Sequence, residues 1–259
     1  MQDIRSSDPK ALVRALFAPI AEDMAAVDAI IREELDSDVP RMREIGEHIV
    51  NAGGKRMRPA LLMLICRALG YEGELHRYLG ATIELLHTAT LMHDDVVDES
   101  AVRRGKPTAN ALWGNGVAVL VGDFLYTRSF QMMIRAGNLR VMQALADAAN
   151  TLAEGEVKQM VNAHDPTVDE KRYFEVIERK TACLFEAGAK MAAAIADCSE
   201  KDEAAVREYA LALGNAFQIV DDMLDYTRVS SDIGKNLGAD LREGKVTLPL
   251  LYARLHTSE

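Results

Sequence analysis

The chain of 259 residues has only three cysteines, Cys66, Cys183 and Cys198, odd in number and widely spaced. That pattern excludes a disulfide framework, and the absence of any C-x-x-C pair excludes the common zinc sites. The thiols read as small buried hydrophobes in a reducing compartment. Long apolar runs are missing too. The longest, Ala60 to Cys66 and Gly116 to Gly122, fall far short of a transmembrane span. Met1 to Lys10 is polar and holds Asp3 and Asp8, so no signal peptide is visible and a cytoplasmic location is expected. Excess positive charge is absent. A formal charge of −10 argues against nucleic acid as a partner and suits a protein that gathers cations. Alternating strand patterns, linkers and short-period repeats are also lacking.

What remains is helix. The spacing predicts helices over Ala60 to Leu69, Glu74 to Asp98, Val117 to Ala136 and Leu139 to Ala163. Pro59 fits the first position of one helix, and Gly70 stands just past its end. That helix is apolar almost all round and is expected at the centre of the fold. Thr167 with Glu170, and Ser199 with Asp202, resemble capping boxes opening helices that run to about Ile195 and Tyr226. Pro40 separates an amphipathic N-terminal pair.

Two clusters of the form D-D-x-x-D stand out: Asp94-Asp95-Val96-Val97-Asp98 and Asp221-Asp222-Met223-Leu224-Asp225. Residues four apart share a helix face, about 5.4 Å from each other. Asp94 therefore stands over Asp98, and Asp221 over Asp225. Both clusters end helices, where the backbone dipole disfavours carboxylates. A cation must offset this, and Mg²⁺ binds through one or two carboxylates together with phosphate oxygens. Facing each other, the clusters would cage Mg²⁺ and a diphosphate.

Cations complete the pattern. Gly53-Gly54-Lys55-Arg56-Met57-Arg58 is a glycine-rich turn with three cations before a helix, which suits an anion. Arg103 and Arg104 follow the first cluster, and Lys180, Lys235 and Lys245 are further candidates. His87 lies on the face of Asp94, two turns deeper. Gln218 lies three residues before Asp221. A polar loop over 99–107 and a Ser/Gly/Asp-rich loop over 229–244 follow the clusters and are natural lids. Glu84-x-x-His87 also fits the di-iron signature of ferritin-like bundles, but no second copy exists.

These strings resemble the trans-type polyprenyl diphosphate synthases. The matching segments are GGKRMRP (53–59), ELLHTATLMHDDVVDES (84–100), RRGKPT (103–108), GDFLY (122–126), KTA (180–182), FQIVDDMLDY (217–226) and GKNLGADLREGKVTLP (234–249). The stretch before the first cluster is most similar to long-chain members such as octaprenyl and decaprenyl diphosphate synthases, which make quinone side chains. The resemblance implies an all-α orthogonal helix bundle around a central cavity. It implies one synthase domain over residues 1–259, usually homodimeric, though the family commonly continues for several helices past the T-L-P string.

Carried over residue by residue, the resemblance implies that Asp94, Asp98 and Asp221, with Asp225, hold Mg²⁺, about three ions with bound diphosphate. Asp95 and Asp222 support them. Arg103, Lys180, Lys235 and Lys245 would touch the allylic diphosphate. Lys55, Arg58, His87 and Arg104 would bind isopentenyl diphosphate, and Thr181 and Gln218 would line the reacting carbons. Short-chain relatives carry an aromatic floor one turn before the first cluster. Ala89 and Thr90 are small, so a prenyl tail would continue between helices roughly 30 Å long, enough for about eight isoprene units. A shorter-chain synthase and a non-catalytic subunit of a heteromeric synthase remain alternatives. A class I terpene cyclase would need an N-D-x-x-S/T-x-x-x-E partner, which is absent.

Overall fold

The computed structural model describes residues 8–51, 53–227 and 238–256. These residues are almost entirely helical. The order is α1 (Pro9–Phe17), α2 (Ala21–Glu34), α3 (Pro40–Asn51), α4 (Met57–Ala68), α5 (Leu75–Val97), α6 (Ala109–Trp113), α7 (Asn115–Arg135) and α8 (Leu139–Asn162). It continues with α9 (Glu170–Ile177), α10 (Cys183–Ala196), α11 (Glu200–Thr227), α12 (Ala239–Arg242) and α13 (Leu248–His256). Two-residue strands, β1 (Val102–Arg103) and β2 (Lys106–Pro107), pair antiparallel and fold the basic loop after α5 into a small hairpin.

The core sits on α4, α5 and α10. α5 packs against α7, α4 and α2, while α10 packs against α11, α8 and α4. As expected from its sequence, α4 is buried around most of its circumference, with Leu62 and Met63 fully enclosed. It begins earlier than Pro59 suggests. Arg56 in a left-handed conformation (φ 49°) precedes Met57, and Pro59 is the third helical residue, where a missing amide hydrogen still costs nothing.

Ser199 caps its helix, its hydroxyl accepting from the Asp202 amide, but the Asp202 carboxylate accepts from that hydroxyl and not from the Ser199 amide, so only half of the capping box forms. The one expected at Thr167 does not form. Asp169 caps α9 instead, accepting from the Arg172 amide at 2.8 Å, and Thr167 bonds back to Asp165. Aspartate is the better cap because its charged oxygen meets the positive end of the helix.

Between α9 and α10 the helix loosens into one π turn, Glu178–Ala182. Glycines on both neighbours let it in. A Cβ at Gly155 of α8 would stand 2.8 Å from the Lys180 amide nitrogen, and one at Gly214 of α11 would stand 2.6 Å from Ala182 Cα. The turn aims Lys180 and Thr181 at the cavity.

Candidate active site

A cleft of about 440 Å³ opens where the end of α5, the end of α11, the π turn and the 55–58 turn converge. Beside it, among α5, α7 and α8, lies a second cavity of about 760 Å³. Thr90, Asp94, Asp98, Glu156, Gln159 and Lys245 line both, so they stand between the two.

The first aspartate cluster divides its labour. Asp94 and Asp98 face the cleft. Asp95 points behind it, buried, and accepts from Arg103 Nε at 2.8 Å, while its backbone carbonyl takes the Asn110 amide. Burial pushes the Asp94 carboxyl above its ordinary range, opposed by Lys180 and Arg103 and reinforced by the charge of Asp98.

The second cluster divides in a different way. Asp221 lines the cleft. Asp222 is buried and receives Tyr173 OH and Gln218 Nε2, each at 2.7 Å. Asp225 also lines the cleft, but its carboxylate takes the backbone amides of Ala239 (3.3 Å) and Asp240 (3.1 Å) at the start of α12. In the free protein Asp225 therefore anchors the segment after the second loop.

The cations sort into two groups. Lys55, Arg58, His87 and Arg104 share one side of the cleft. Lys55 Nζ sits 5.2 Å from the centre of the Phe217 ring, and the Arg58 guanidinium 4.8 Å from that of Phe185. Arg104 donates to the Gly53 carbonyl. Arg58 Nε is buried without a partner among the described residues. Burial lowers the Arg58 pKa to about 10, so it stays charged at neutral pH. Burial, and then the charges of Arg58 and Arg104, hold the His87 imidazole well below its ordinary value, hence neutral. A group of cations that includes a buried, unpartnered guanidinium nitrogen suits an anion. Arg103, Lys180 and Lys245 form the other group, around the aspartates. Lys235 lies outside the described residues.

Thr90 lines both cavities one turn below Asp94, as its spacing predicts. Ala89 does not. It is fully buried in the main core and lines neither cavity, because one residue along a helix turns the side chain about 100° away. Glu156 and Gln159 of α8, and Tyr173 of α9, went unread in the sequence. Lys180 Nζ lies 2.6 Å from Glu156 Oε2 and 2.7 Å from Gln159 Oε1. Burial, and then Asp94, push the Glu156 carboxyl above its ordinary range. The signal for this pair was slight: two polar residues three apart on α8, immediately after Gly155.

Among the described residues no three His, Cys, Asp or Glu side chains are close enough to hold a metal ion by themselves. Asp94 and Asp221 face the cleft without a protein donor among those residues. Single carboxylates on opposing helix ends fit Mg²⁺ when phosphate oxygens complete its shell.

The family profile for polyprenyl synthetase matches residues 39–259. The chain belongs to the polyprenyl synthetase family. It is similar to octaprenyl diphosphate synthase of Escherichia coli (strain K12), at 52% identity over 236 residues, covering 91% of this chain and 73% of that protein. It is 47% identical over 243 residues to the all-trans-nonaprenyl-diphosphate synthase (geranyl-diphosphate specific) of Rhodobacter capsulatus, covering 93% and 74%. The crystal structure of a decaprenyl diphosphate synthase from Rhodobacter capsulatus superimposes with a TM-score of 0.89 at 50% identity, covering 95% of this chain and 76% of that one. A polyprenyl synthase from Caulobacter crescentus CB15, complexed with calcium and isoprenyl diphosphate, gives 0.90 at 43% identity, covering 93% and 73%. The fold is thus the all-α bundle of the polyprenyl synthetases. Within this polyprenyl synthetase, Glu84 is spoken for: Arg56 Nη1 holds it at 2.8 Å, so it is no iron ligand in waiting.

Proposed function

We propose that this chain is a long-chain trans-polyprenyl diphosphate synthase that adds isopentenyl diphosphate stepwise to an allylic diphosphate. The observation that carries the reading is that Thr90 and Asp94 line both the charged cleft and the second cavity beside it. Leu86, Ala149, Leu152 and Ala153 wall that cavity, and no aromatic side chain stands at position 90. A growing prenyl tail needs such an outlet, and a diphosphate needs such a mouth.

Lys55, Arg58, His87 and Arg104 would hold isopentenyl diphosphate and present its double bond. Arg103, Lys180 and Lys245, with Lys235, would hold the allylic diphosphate and receive its charge as the C1–O bond breaks. Asp94, Asp98 and Asp221, with Asp225, would hold Mg²⁺, about three ions, supplying Lewis-acid charge at the leaving group. Thr181 and Gln218 would face the allylic cation. Water must be kept from the cation, which it would convert to an alcohol. The released diphosphate is the base for the last proton.

The homodimer implied by the resemblance is supported by exposed apolar side chains on α7 and α8, among them Leu120, Ile134, Val157 and Val161. No helix among the described residues is long and apolar enough to cross a membrane. The reading adopted is one synthase domain acting in the cytoplasm on these two substrates, without nucleic acid. Mass spectrometry of the products from farnesyl and isopentenyl diphosphates with Mg²⁺ tests it. Products near forty carbons are expected, and products ending at fifteen or twenty carbons would refute the long-chain assignment.

A further inference from the structure

Behind the cleft, four side chains from α9, the π turn and α11 form one continuous hydrogen-bond chain. Tyr173 donates its phenol to Asp222 Oδ2 at 2.7 Å. Gln218 Nε2 donates to Asp222 Oδ1 at 2.7 Å, and Thr181 Oγ1 donates to Gln218 Oε1 at 2.8 Å. Tyr173, Thr181 and Asp222 are at most 5% exposed.

The donors on both sides point toward Asp222. Its Oδ2 accepts from Tyr173 and its Oδ1 from Gln218, so Gln218 turns its NH₂ toward Asp222. Its carbonyl then faces Thr181, whose hydroxyl must donate. Having given up its one proton, the Thr181 oxygen has only lone pairs left for anything else in the cleft, which Thr181 lines. Hydrogen bonds in such a series polarise one another, and the series ends on the Asp222 carboxyl group. An oxygen so prepared is suited to a positive charge beside it.

The two neighbours Asp221 and Asp222 therefore do different work. Asp221 has no protein donor among the described residues and faces the cleft. Asp222 has a donor on each oxygen. Among the described residues, Tyr173 supplies the one donor that comes from outside the Thr181–Gln218–Asp222 series. Without the phenol, a buried carboxylate oxygen lacks a partner. Such an oxygen is costly, so the carboxylate would turn in search of a donor and the Gln218 amide would turn with it.

Resting on the prenyl-transfer reading above, we propose that Tyr173 is a positioning residue that fixes the polarity of the Asp222–Gln218–Thr181 chain and so aims the Thr181 lone pairs at the cation formed in the cleft. Its ring packs with Phe174, Ile177 and Leu251, so Tyr173→Phe removes the hydroxyl and keeps the packing.

The test is a double-mutant cycle with Thr181→Val. Tyr173→Phe is expected to lower kcat about tenfold while the KM for isopentenyl diphosphate and the Mg²⁺ dependence stay at their wild-type values. In the Thr181→Val background the same change should cost nothing further. An unchanged kcat, or the same fold-loss with and without the Thr181 hydroxyl, would overturn the proposal. A second readout needs no turnover. In ¹⁵N spectra of the free protein, the Gln218 side-chain NH₂ signals should shift or broaden in Tyr173→Phe, and unmoved signals would overturn the proposal. Wild-type protein that makes no prenyl product, with Gln218 signals that do move, would sink the prenyl-transfer reading and not the polarity of the chain.

Discussion

Lys245 Nζ lies 3.1 Å from Asp98 Oδ2, an ion pair between residues 147 positions apart. It joins the first aspartate cluster to the segment following the second. Glu243 holds the same ammonium at 2.7 Å. Burial works against its charge, yet Glu243 and Asp98 together keep the Lys245 pKa above its ordinary value. Lys245→Ala is expected to raise the KM for the allylic diphosphate about tenfold, with a smaller effect on isopentenyl diphosphate and partial rescue in Lys245→Arg. Steady-state kinetics with each substrate varied in turn decides this, and equal effects on both would place Lys245 elsewhere.

Removing a cleft carboxylate should stop the chemistry without harming the fold. Asp94→Ala and Asp221→Ala should each lower turnover about a thousandfold. Their melting temperatures should hold or rise, because neither carboxylate has a protein donor among the described residues and each removal takes one charge from a cluster of like charges. Full activity in excess chelator would contradict the metal reading.

Arg58 separates the two substrates. Its guanidinium lies near His87 and Arg104 in the cleft that Lys55 also lines. Arg58→Ala should raise the KM for isopentenyl diphosphate about a hundredfold and that for the allylic diphosphate far less. The ratio of the two KM values is the measurement.

His87 carries a pH signature. Its native pKa lies well below 6.5, through burial and then Arg58, so the unfolded chain binds a proton that the native protein refuses. Stability from this residue is complete above the unfolded value and is lost as pH falls toward the native one. Urea unfolding of wild type and His87→Asn between about pH 7.5 and 5.5 should show the wild-type advantage shrinking as pH falls. A difference that stays flat would contradict a buried neutral imidazole.

Thr90 sets what passes from one cavity to the other. Thr90→Phe should cut the product to fifteen or twenty carbons and leave the first condensation intact, a change of roughly half the chain length or more. Ala89→Phe is the contrast: Ala89 is fully buried in the core, so this variant should lose stability through overpacking. Product spectra and thermal melts separate the two.

Much of this was legible from spacing. A residue four positions from another on a helix shares its face wherever the helix goes, so Asp94 over Asp98 and Thr90 below Asp94 followed from the chain alone. So did the buried α4, whose apolar residues leave no face for water, and the Ser199 cap. Local rules reached that far because each of these features depends on residues within one or two turns.

The division of labour did not follow from spacing. D-D-x-x-D reads the same twice, yet Asp95 turns back to Arg103, Asp222 to Tyr173 and Asp225 to the amides of α12. Lys180 is held by Glu156 and Gln159, 24 and 21 positions away, and Lys245 reaches Asp98 from the far end of the chain. Ala89 and Thr90 are adjacent and both small, but packing buried the first and left the second lining both cavities. A carboxylate's role depends on its burial and on the donors that reach it, and these are set by how the chain packs and not by spacing within one helix, so only the tertiary structure could decide it.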